Sequence, residues 1–453
     1  MSVFKSINPF NQEVVGEYPE FTDAQIESAL QLAASAFQDW KKTSYTHRAT
    51  LLKNLAQQLR TNLDTYAMHI SLEMGKVLAE SKAEVEKCAT ACDYYAENGA
   101  LLLQDRIIPS DAKKSLVAYD PIGAVFAVMP WNFPFWQVIR FAAPTIMAGN
   151  VGLLKHAKNV SQCALDIESA FLAAGFPKGV FQTLIIPASK SEKIIAHDIV
   201  QGVTLTGSEN AGSAVAALAG KYIKKSVLEL GGSDPFIVLN DADVNLAASI
   251  ATKSRMQNAG QSCIAAKRFI VCSQVKADFL NAFQQNIAQI KQGNQLEANT
   301  TMGPVSSLAA ATELEIQQDN SVKKGARVII GSKRNGANYE PTILADVGVG
   351  MPAYAEELFG PVASVITAND TEHAIAIANS HRYGLGATIF SKDTEKAYHY
   401  ARQISSGAVF VNAMVKSDVR LPFGGTKKSG YGRELSDYGL KEFTNVKTIY
   451  INE

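Results

Sequence analysis

Apolar residues recur along this chain with two different periods, and the change comes near residue 123. Ahead of it, Ile26, Ala29, Leu30, Ala33, Phe37 and Trp40 fall at the three- and four-residue spacing of one helix face, behind a Thr22–Gln25 capping-box pattern. The same spacing runs through residues 46–61 and 82–103, so this part predicts helices that follow a short hairpin over Val3–Tyr18, turning at Asn8-Pro9 and Asn11. Residues 104–121 mix polar and apolar side chains with neither period and predict an extended arm able to pair with a neighbour.

From Gly123 onward, short apolar runs alternate with helical stretches: 124–129 then 135–148, 151–154 then 161–174, 183–186 then 190–198, and 203–206 then 209–220. Repeated strand and helix predict a mostly parallel sheet covered by helices. After Gly231-Gly232 a second set begins, with strands expected at 236–239, 268–271, 327–330, 364–367, 387–390 and 408–411. A second α/β domain is the economical reading. The run at 448–451 closes the chain and, with the arm, is expected to complete a sheet between subunits.

Composition narrows the function classes. The 453 residues exceed the ~250–300 at which one core stops growing, so two or three domains are expected. Charged residues make up 19%, below the usual ~25%, which fits extra surface buried between subunits. Lys plus Arg (43) equals Asp plus Glu (43), so no net field draws nucleic acid or anionic lipid, and a small-molecule partner is favoured. Five scattered cysteines argue for a reducing compartment, the cytoplasm, and residues 1–10 lack the pattern of a secretory signal. The segment 121–154 has Arg140 as its only charge, but prolines and glycines break it into a buried strand, helix and strand rather than a membrane span. With neither H-E-x-x-H nor C-x-x-C and seven scattered histidines, no metal site is expected.

Six places carry chemistry. Asn258–Cys263 reads N-A-G-Q-S-C, putting Cys263 on a loop between a helical stretch and a strand-like run; it is either a presented nucleophile or a buried small hydrophobe. Glu229 interrupts the apolar V-L-E-L-G-G, where an unpaired carboxylate is costly; it is either salt-bridged or a general base whose pKa burial raises. In M-P-W-N-F-P, Asn132 at a strand end is an oxyanion donor or a helix cap. Thr206-Gly207-Ser208 with Gly212 opens a helix where phosphate binds, or simply joins strand to helix, and is not a G-x-G-x-x-G fingerprint. Lys155 ends a strand within reach of a ribose, and Glu356–Pro361 sets a carboxylate and an aromatic ring before a turn; each has a plain surface or loop alternative.

In this order, M-P-W-N-F-P, L-L-K-H-A, L-T-G-S, L-E-L-G-G-S-D-P, N-A-G-Q-S-C, E-E-L-F-G-P-V and P-F-G-G-T-K-K-S-G closely resemble the aldehyde dehydrogenase superfamily along nearly the whole chain. K-H-A, L-E-L-G-G-S-D-P-F-I-V-L-N-D-A-D and G-Q-S-C-I-A-A-K-R-F-I most resemble its bacterial NAD(P)-dependent succinate-semialdehyde branch. The resemblance implies that Cys263 attacks the aldehyde carbon and that Asn132 and the Cys263 N–H hold the oxyanion. Hydride passes to NAD or NADP, and water activated by Glu229 hydrolyses the thioester. It further implies that Lys155 binds the adenosine ribose, Gly207 and Ser208 the pyrophosphate and Glu357 the nicotinamide ribose, with Phe359 beside the ring. Met129, Pro130, Trp131, His156, Lys158, Thr206, Leu230 and Gly231 complete the expected cofactor site.

The fold implied is α/β: a Rossmann-like cofactor domain (1–103 and 122–231), an α/β catalytic domain (232–435) and a β oligomerisation arm (104–121 and 436–453) of a homodimer or homotetramer. Arg140 matches an arginine that semialdehyde relatives direct at the substrate carboxylate, whereas a second family arginine is replaced by Gln257. Arg255, Ser417 and Arg420 are candidates to compensate. Ile264 follows Cys263, so the vicinal cysteine pair of some relatives is absent. Lys158, where NAD-selective relatives carry a glutamate, is compatible with a 2′-phosphate and makes NADP usable and NAD possible. Oxidation of succinate semialdehyde to succinate is the leading expectation. Glutarate semialdehyde, an uncharged aldehyde, a cofactor-independent cysteine thioesterase or esterase, and a non-catalytic protein are the alternatives.

Overall fold

The two sequence periods become a helical layer and two large sheets in the computed structural model, which describes residues 2–453. Val3–Ile7 and Val14–Pro19 pair as the expected hairpin. Helices follow at Asp23–Trp40, Tyr45–Thr61, Leu63–Met74 and Leu78–Leu102. The first buries the predicted face from Ile26 to Trp40, and its capping box forms: Thr22 N–H donates to Gln25 Oε1 at 2.8 Å and Gln25 N–H to Thr22 Oγ1 at 3.3 Å. Leu63–Met74 was not foreseen, because it starts without a side-chain cap and its only clear signal is the stop at Gly75, whose φ of 84° suits glycine.

The first sheet runs in the order Gly430–Tyr431, Lys225–Glu229, Val200–Thr206, Ala124–Met129, Val151–His156, Phe181–Thr183. All pairs but the first are parallel. Every side chain of the helix Trp136–Met147 is buried, which explains why its sequence looked like a membrane segment. Among the described residues no helix is long and apolar enough to cross a membrane. The strand expected at 183–186 lies earlier, at Phe181–Thr183; the whole run from Val180 to Ile186 is buried, so its apolarity marks burial rather than strand content.

The second sheet runs Arg327–Ile330, Thr342–Ala345, Val362–Ala368, Ala266–Cys272, Asp234–Val238, Gly386–Phe390, Ala408–Val411, again parallel except for the first pair. The short strand Thr342–Ala345 carried no alternation to betray it, since both of its faces are buried. Each sheet has its own apolar core. Arg106–Ile107, Lys114–Pro121 and Thr444–Ile451 form a third, antiparallel sheet, with Thr444 opposite Pro121 and Ile451 opposite Lys114. The chain's last strand therefore pairs with its own arm.

The connection that matters for chemistry lies between the two large sheets. Glu229 is the last residue of a first-sheet strand, and the loop ending in Cys263 leads into the second-sheet strand Ala266–Cys272. Clefts at the carboxyl ends of parallel strands are where α/β sheets hold ligands.

Candidate active site

Three successive residues of the Cys263 loop, Asn258, Ala259 and Gly260, have φ of 52°, 50° and 74°. For residues other than glycine this conformation costs ~1–2 kcal/mol each, so the surroundings must enforce it. They do. Asn258 N–H donates to Glu80 Oε2 at 2.9 Å, and its Nδ2 donates to the carbonyls of Asn132 (2.8 Å) and Gln261 (3.1 Å). At Gly260 a Cβ would stand 2.3 Å from the Gly360 carbonyl oxygen, so only glycine fits. Arg255, fully buried, gives its donors to the carbonyls of Ala266, Gly260 and Leu358. That corrects its suggested substrate role: it is committed to shaping the loop.

Lys267, also buried, donates to the carbonyls of Ser262 (2.8 Å), Cys263 (2.9 Å) and Ala265 (3.3 Å). The same ammonium stands 3.3 Å from Glu357 Oε1, which also accepts the Gly232 N–H at 3.1 Å. Cys263 itself is partly exposed. Burial pushes its thiol up to about 12, against the opposing pull of Arg140 and Lys267. Before ligands bind, the sulfur is a neutral thiol at neutral pH.

Asn132 lies 4% exposed under this loop. Its carbonyl accepts from Lys76 Nζ at 2.9 Å and Asn258 Nδ2 at 2.8 Å, its Nδ2 donates to the Gln261 carbonyl at 3.1 Å, and the Gln137 amide meets its Oδ1 at 2.9 Å. One amide hydrogen has no such partner. The helix-cap alternative fails, because Glu84 caps the next helix: its Oε1 accepts from the N–H groups of Phe135 (2.9 Å) and Trp136 (3.0 Å).

Two cavities meet at Cys263. A cleft of about 870 Å³ is lined by Pro130, Trp131 and Asn132 on one wall, by Thr206, Gly207 and Ser208 on another, and by Leu230, Gly231, Glu357 and Phe359. Trp131 and Phe359 stand edge to face across it, 5.8 Å between ring centres. Ser208 caps the helix Glu209–Lys221 by accepting the Ala211 N–H at 3.3 Å, so that helix opens its positive end toward the cleft. The Gly207 N–H is committed to the Glu229 carbonyl at 3.0 Å. At Gly231 a Cβ would sit 2.5 Å from Glu357 Oε2, so the close approach of the carboxylate requires glycine. A nicotinamide dinucleotide fits these features: a helix N-terminus for phosphate, a fixed carboxylate for ribose hydroxyls and an aromatic wall.

Four expected cofactor residues lie outside the lining of that cleft. Met129 is buried in its strand. His156 Nδ1 accepts the Ala157 N–H at 2.9 Å while Nε2 lies 2.9 Å from the Pro134 carbonyl, and burial lowers its pKa to about 4; it is a neutral structural histidine. Lys155, whose pKa burial also lowers, bonds among the described residues to the His156 carbonyl alone, at 3.3 Å, and Lys158 is exposed in the following turn. Both lysines keep donors for a ligand extending past the cleft's edge.

The second cavity, about 120 Å³, takes in Lys87, Trp136, Arg140, Gln257, Ser417 and Phe423 beside Cys263. Arg140 is 2% exposed, ion-paired through Nε to Glu434, bonded through Nη2 to Thr206 Oγ1 at 3.2 Å, and set 4.6 Å above the Phe423 ring. Arg420 does not belong: its side chain is 71% exposed and bonded to Asp418. Asp418, two residues earlier, holds the Arg420 guanidinium out in solvent and away from the cavity.

Glu229 lines neither cavity, which departs from a base already facing the thiol. It is 2% exposed, has no hydrogen-bond partner on either oxygen among the described residues, and is lodged against Gly424. Burial first, then the Glu434 charge, raises its pKa well above the ordinary carboxylate range, with Arg140 and Arg433 opposing. Lys87, Lys267, Gln137 and Glu434 are site residues the sequence reading missed. Lys267 and Glu434 each adjoin an arginine, in Lys267-Arg268 and Arg433-Glu434, so neither stands out as a lone charge in its run.

With this geometry in hand, comparison with known proteins is specific. The aldehyde dehydrogenase family matches residues 1–449. A protein of Synechocystis sp. named a probable succinate-semialdehyde dehydrogenase (NADP+) is 45% identical over 449 residues, covering 98% of this chain and 99% of that one. A succinate semialdehyde dehydrogenase (NAD(P)+) of Escherichia coli is 44% identical over 448 residues, 98% of this chain and 97% of its own. The crystal structure of a succinic semialdehyde dehydrogenase from Streptococcus pyogenes in complex with NADP+ superposes with a TM-score of 0.97 at 36% identity, covering 99% of this chain and 100% of that one.

Proposed function

Because the chain belongs to the aldehyde dehydrogenase family, we propose that it oxidises a short semialdehyde, succinate semialdehyde first, to the dicarboxylic acid with NADP, and with NAD as a second choice. The observation that carries this reading is the position of Cys263 at the junction of two cavities, one suited to a dinucleotide and one small and cationic. When bound, the nicotinamide supplies the hydride acceptor.

The chain's own residues supply the rest. Cys263 Sγ gives up its thiol proton to water in the cleft and bonds the aldehyde carbon, and the spare Nδ2 hydrogen of Asn132, with the Cys263 N–H, meets the oxygen as it gains charge. Fixing that amide between Gln261 and Gln137 before substrate arrives means no reorganisation is needed as charge develops. Lys267 holds the nucleophile's backbone and the ribose-side carboxylate of Glu357 as one unit. Glu229, kept basic by burial, takes a proton from the water that attacks the acyl carbon on Cys263. It reaches that water by a change of side-chain rotamer out of its pocket beside Gly424.

NADP is placed first because Lys158 is exposed three residues after Lys155, where a 2′-phosphate would be neutralised. The same reading takes residues 1–103 and 122–231 as the cofactor domain, 232–435 as the catalytic domain and 104–121 with 436–453 as the oligomerisation arm, in a cytoplasmic homo-oligomer. Separate cores for the two sheets support the division, and the exposed Val446, Tyr450 and Ile451 on the last strand support assembly. The test is reduction of NADP and NAD, followed by absorbance, with succinate semialdehyde, glutarate semialdehyde and butanal. Highest kcat/KM for succinate semialdehyde with NADP is expected, and no reduction with any aldehyde overturns the reading.

A further inference from the structure

Besides Arg140 and the exposed Lys416, which pairs with Asp418, a third cation lines the small cavity, and it has no ion-pair partner among the described residues. Lys87 stands on the helix Leu78–Leu102, its Nζ 4.0 Å from the centre of the Trp136 ring and donating to Ser417 Oγ at 2.7 Å. Among the described residues no carboxylate lies within ion-pair distance of it. Arg140 differs in this respect. Glu434 neutralises it, Thr206 takes another donor and the Phe423 ring covers its face. Arg140 and Glu434 thus cancel, Lys416 at the rim is largely exposed and stands 4.0 Å from Asp418, and the enclosed positive charge left without an ion pair is that of Lys87.

An ammonium drawn partly out of water without a partner is unfavourable, and an enclosed site keeps one where a ligand supplies the opposite charge. Lys87 has three donor hydrogens, of which Ser417 engages one; the ring of Trp136 steadies the group by a cation–π contact. Burial, reinforced by Arg140, lowers its pKa to about 8, so the ammonium still prevails at neutral pH. Gln257, lining the same cavity, contributes no charge.

We propose that Lys87, with Ser417 beside it, is a further residue that recognises the distal carboxylate of the substrate, adding an unpaired cation to the ion-paired Arg140. This rests on the proposal above that the substrate carries such a carboxylate. A carboxylate bound there completes an ion pair in a secluded site, whereas an uncharged aldehyde of equal length leaves the ammonium unpaired. Because Lys87 and Cys263 line one cavity of about 120 Å³, the carboxylate must lie only a few bonds from the reacting carbon.

The experiment compares kcat/KM for succinate semialdehyde with that for butanal, at saturating NADP, in the wild type, Lys87→Met and Lys87→Arg. The wild type is expected to prefer the semialdehyde. Lys87→Met is expected to lower that preference by about 100-fold, chiefly through KM of the semialdehyde, and Lys87→Arg to restore most of it. An unchanged preference in Lys87→Met overturns the assignment, as does a loss shared equally by both substrates. Should Lys87→Met not fold, Lys87→Gln, which keeps the bond to Ser417, gives the same reading. A wild type without preference overturns the semialdehyde reading itself, whereas a preference that survives Lys87→Met overturns only the role of Lys87.

Discussion

Lys267 Nζ donates to the carbonyl oxygen of Cys263 at 2.9 Å while standing 3.3 Å from Glu357 Oε1, so one buried ammonium joins the nucleophile loop to a carboxylate of the large cleft. Lys267→Met would leave three loop carbonyls and Glu357 without this partner. A displacement near 1 Å at a reacting atom costs about 100-fold, and we expect kcat to fall by that order together with weaker NADP binding. Steady-state kinetics and a fluorescence titration with NADP check both. Unchanged kcat and cofactor affinity contradict the coupling.

The thiol of Cys263 is predicted to be unreactive in the free enzyme. With its pKa pushed up to about 12, the thiolate fraction rises about tenfold per pH unit throughout the accessible range. Alkylation by iodoacetamide, measured from neutral to alkaline pH without cofactor, should therefore climb without a plateau. A plateau near the ordinary thiol pKa of ~8.5 would show that the pocket does not suppress ionisation.

Glu84 fixes the turn that carries Asn132: it caps the helix Trp136–Met147 through two N–H groups and ion-pairs with buried Lys76, which in turn donates to the Asn132 carbonyl at 2.9 Å. Glu84→Ala strands the Lys76 ammonium over the Phe133 ring. Breaking a buried pair costs ~3–5 kcal/mol, so the first urea transition should move to lower concentration, with kcat reduced as well. Wild-type unfolding would mean the pair is dispensable.

Much of this architecture was legible in the sequence. The runs at 124–129, 327–330 and 408–411 coincide with observed strands, and the Thr22 capping box and the helical face from Ile26 to Trp40 appear as read, because burial and periodicity act locally. The placement of long side chains was less legible. Arg140 and Arg420 are alike in sequence, yet one is buried against Glu434 and the other bonds Asp418 in solvent, a distinction set by elements far apart in the chain. Lys155, Lys158, His156 and Met129 fall outside the cleft for the same reason: a strand's residue order does not say which way its end faces. Lys87 lay hidden in an ordinary helical pattern, and only the packing of its helix against Trp136 brings it to the thiol.

Glu229 should impose the pH dependence of turnover. Its pKa is raised by burial, so the base form grows as pH rises, and kcat should increase with pH on an acid limb governed by this group. Glu229→Gln should abolish that limb and lower kcat by at least about 100-fold, since general-base catalysis contributes ~10²–10⁴. A variant that keeps both limb and rate has lost nothing that turnover uses.

That variant also gives the most direct test of acylation at Cys263 followed by water attack directed by Glu229. Glu229→Gln is mixed with NADP and succinate semialdehyde, quenched in acid and weighed intact by mass spectrometry. The account predicts a mass increase of one succinyl group, stable over many wild-type turnovers and absent when Cys263→Ala is added. No adduct, or an adduct that persists without the Cys263 thiol, contradicts it.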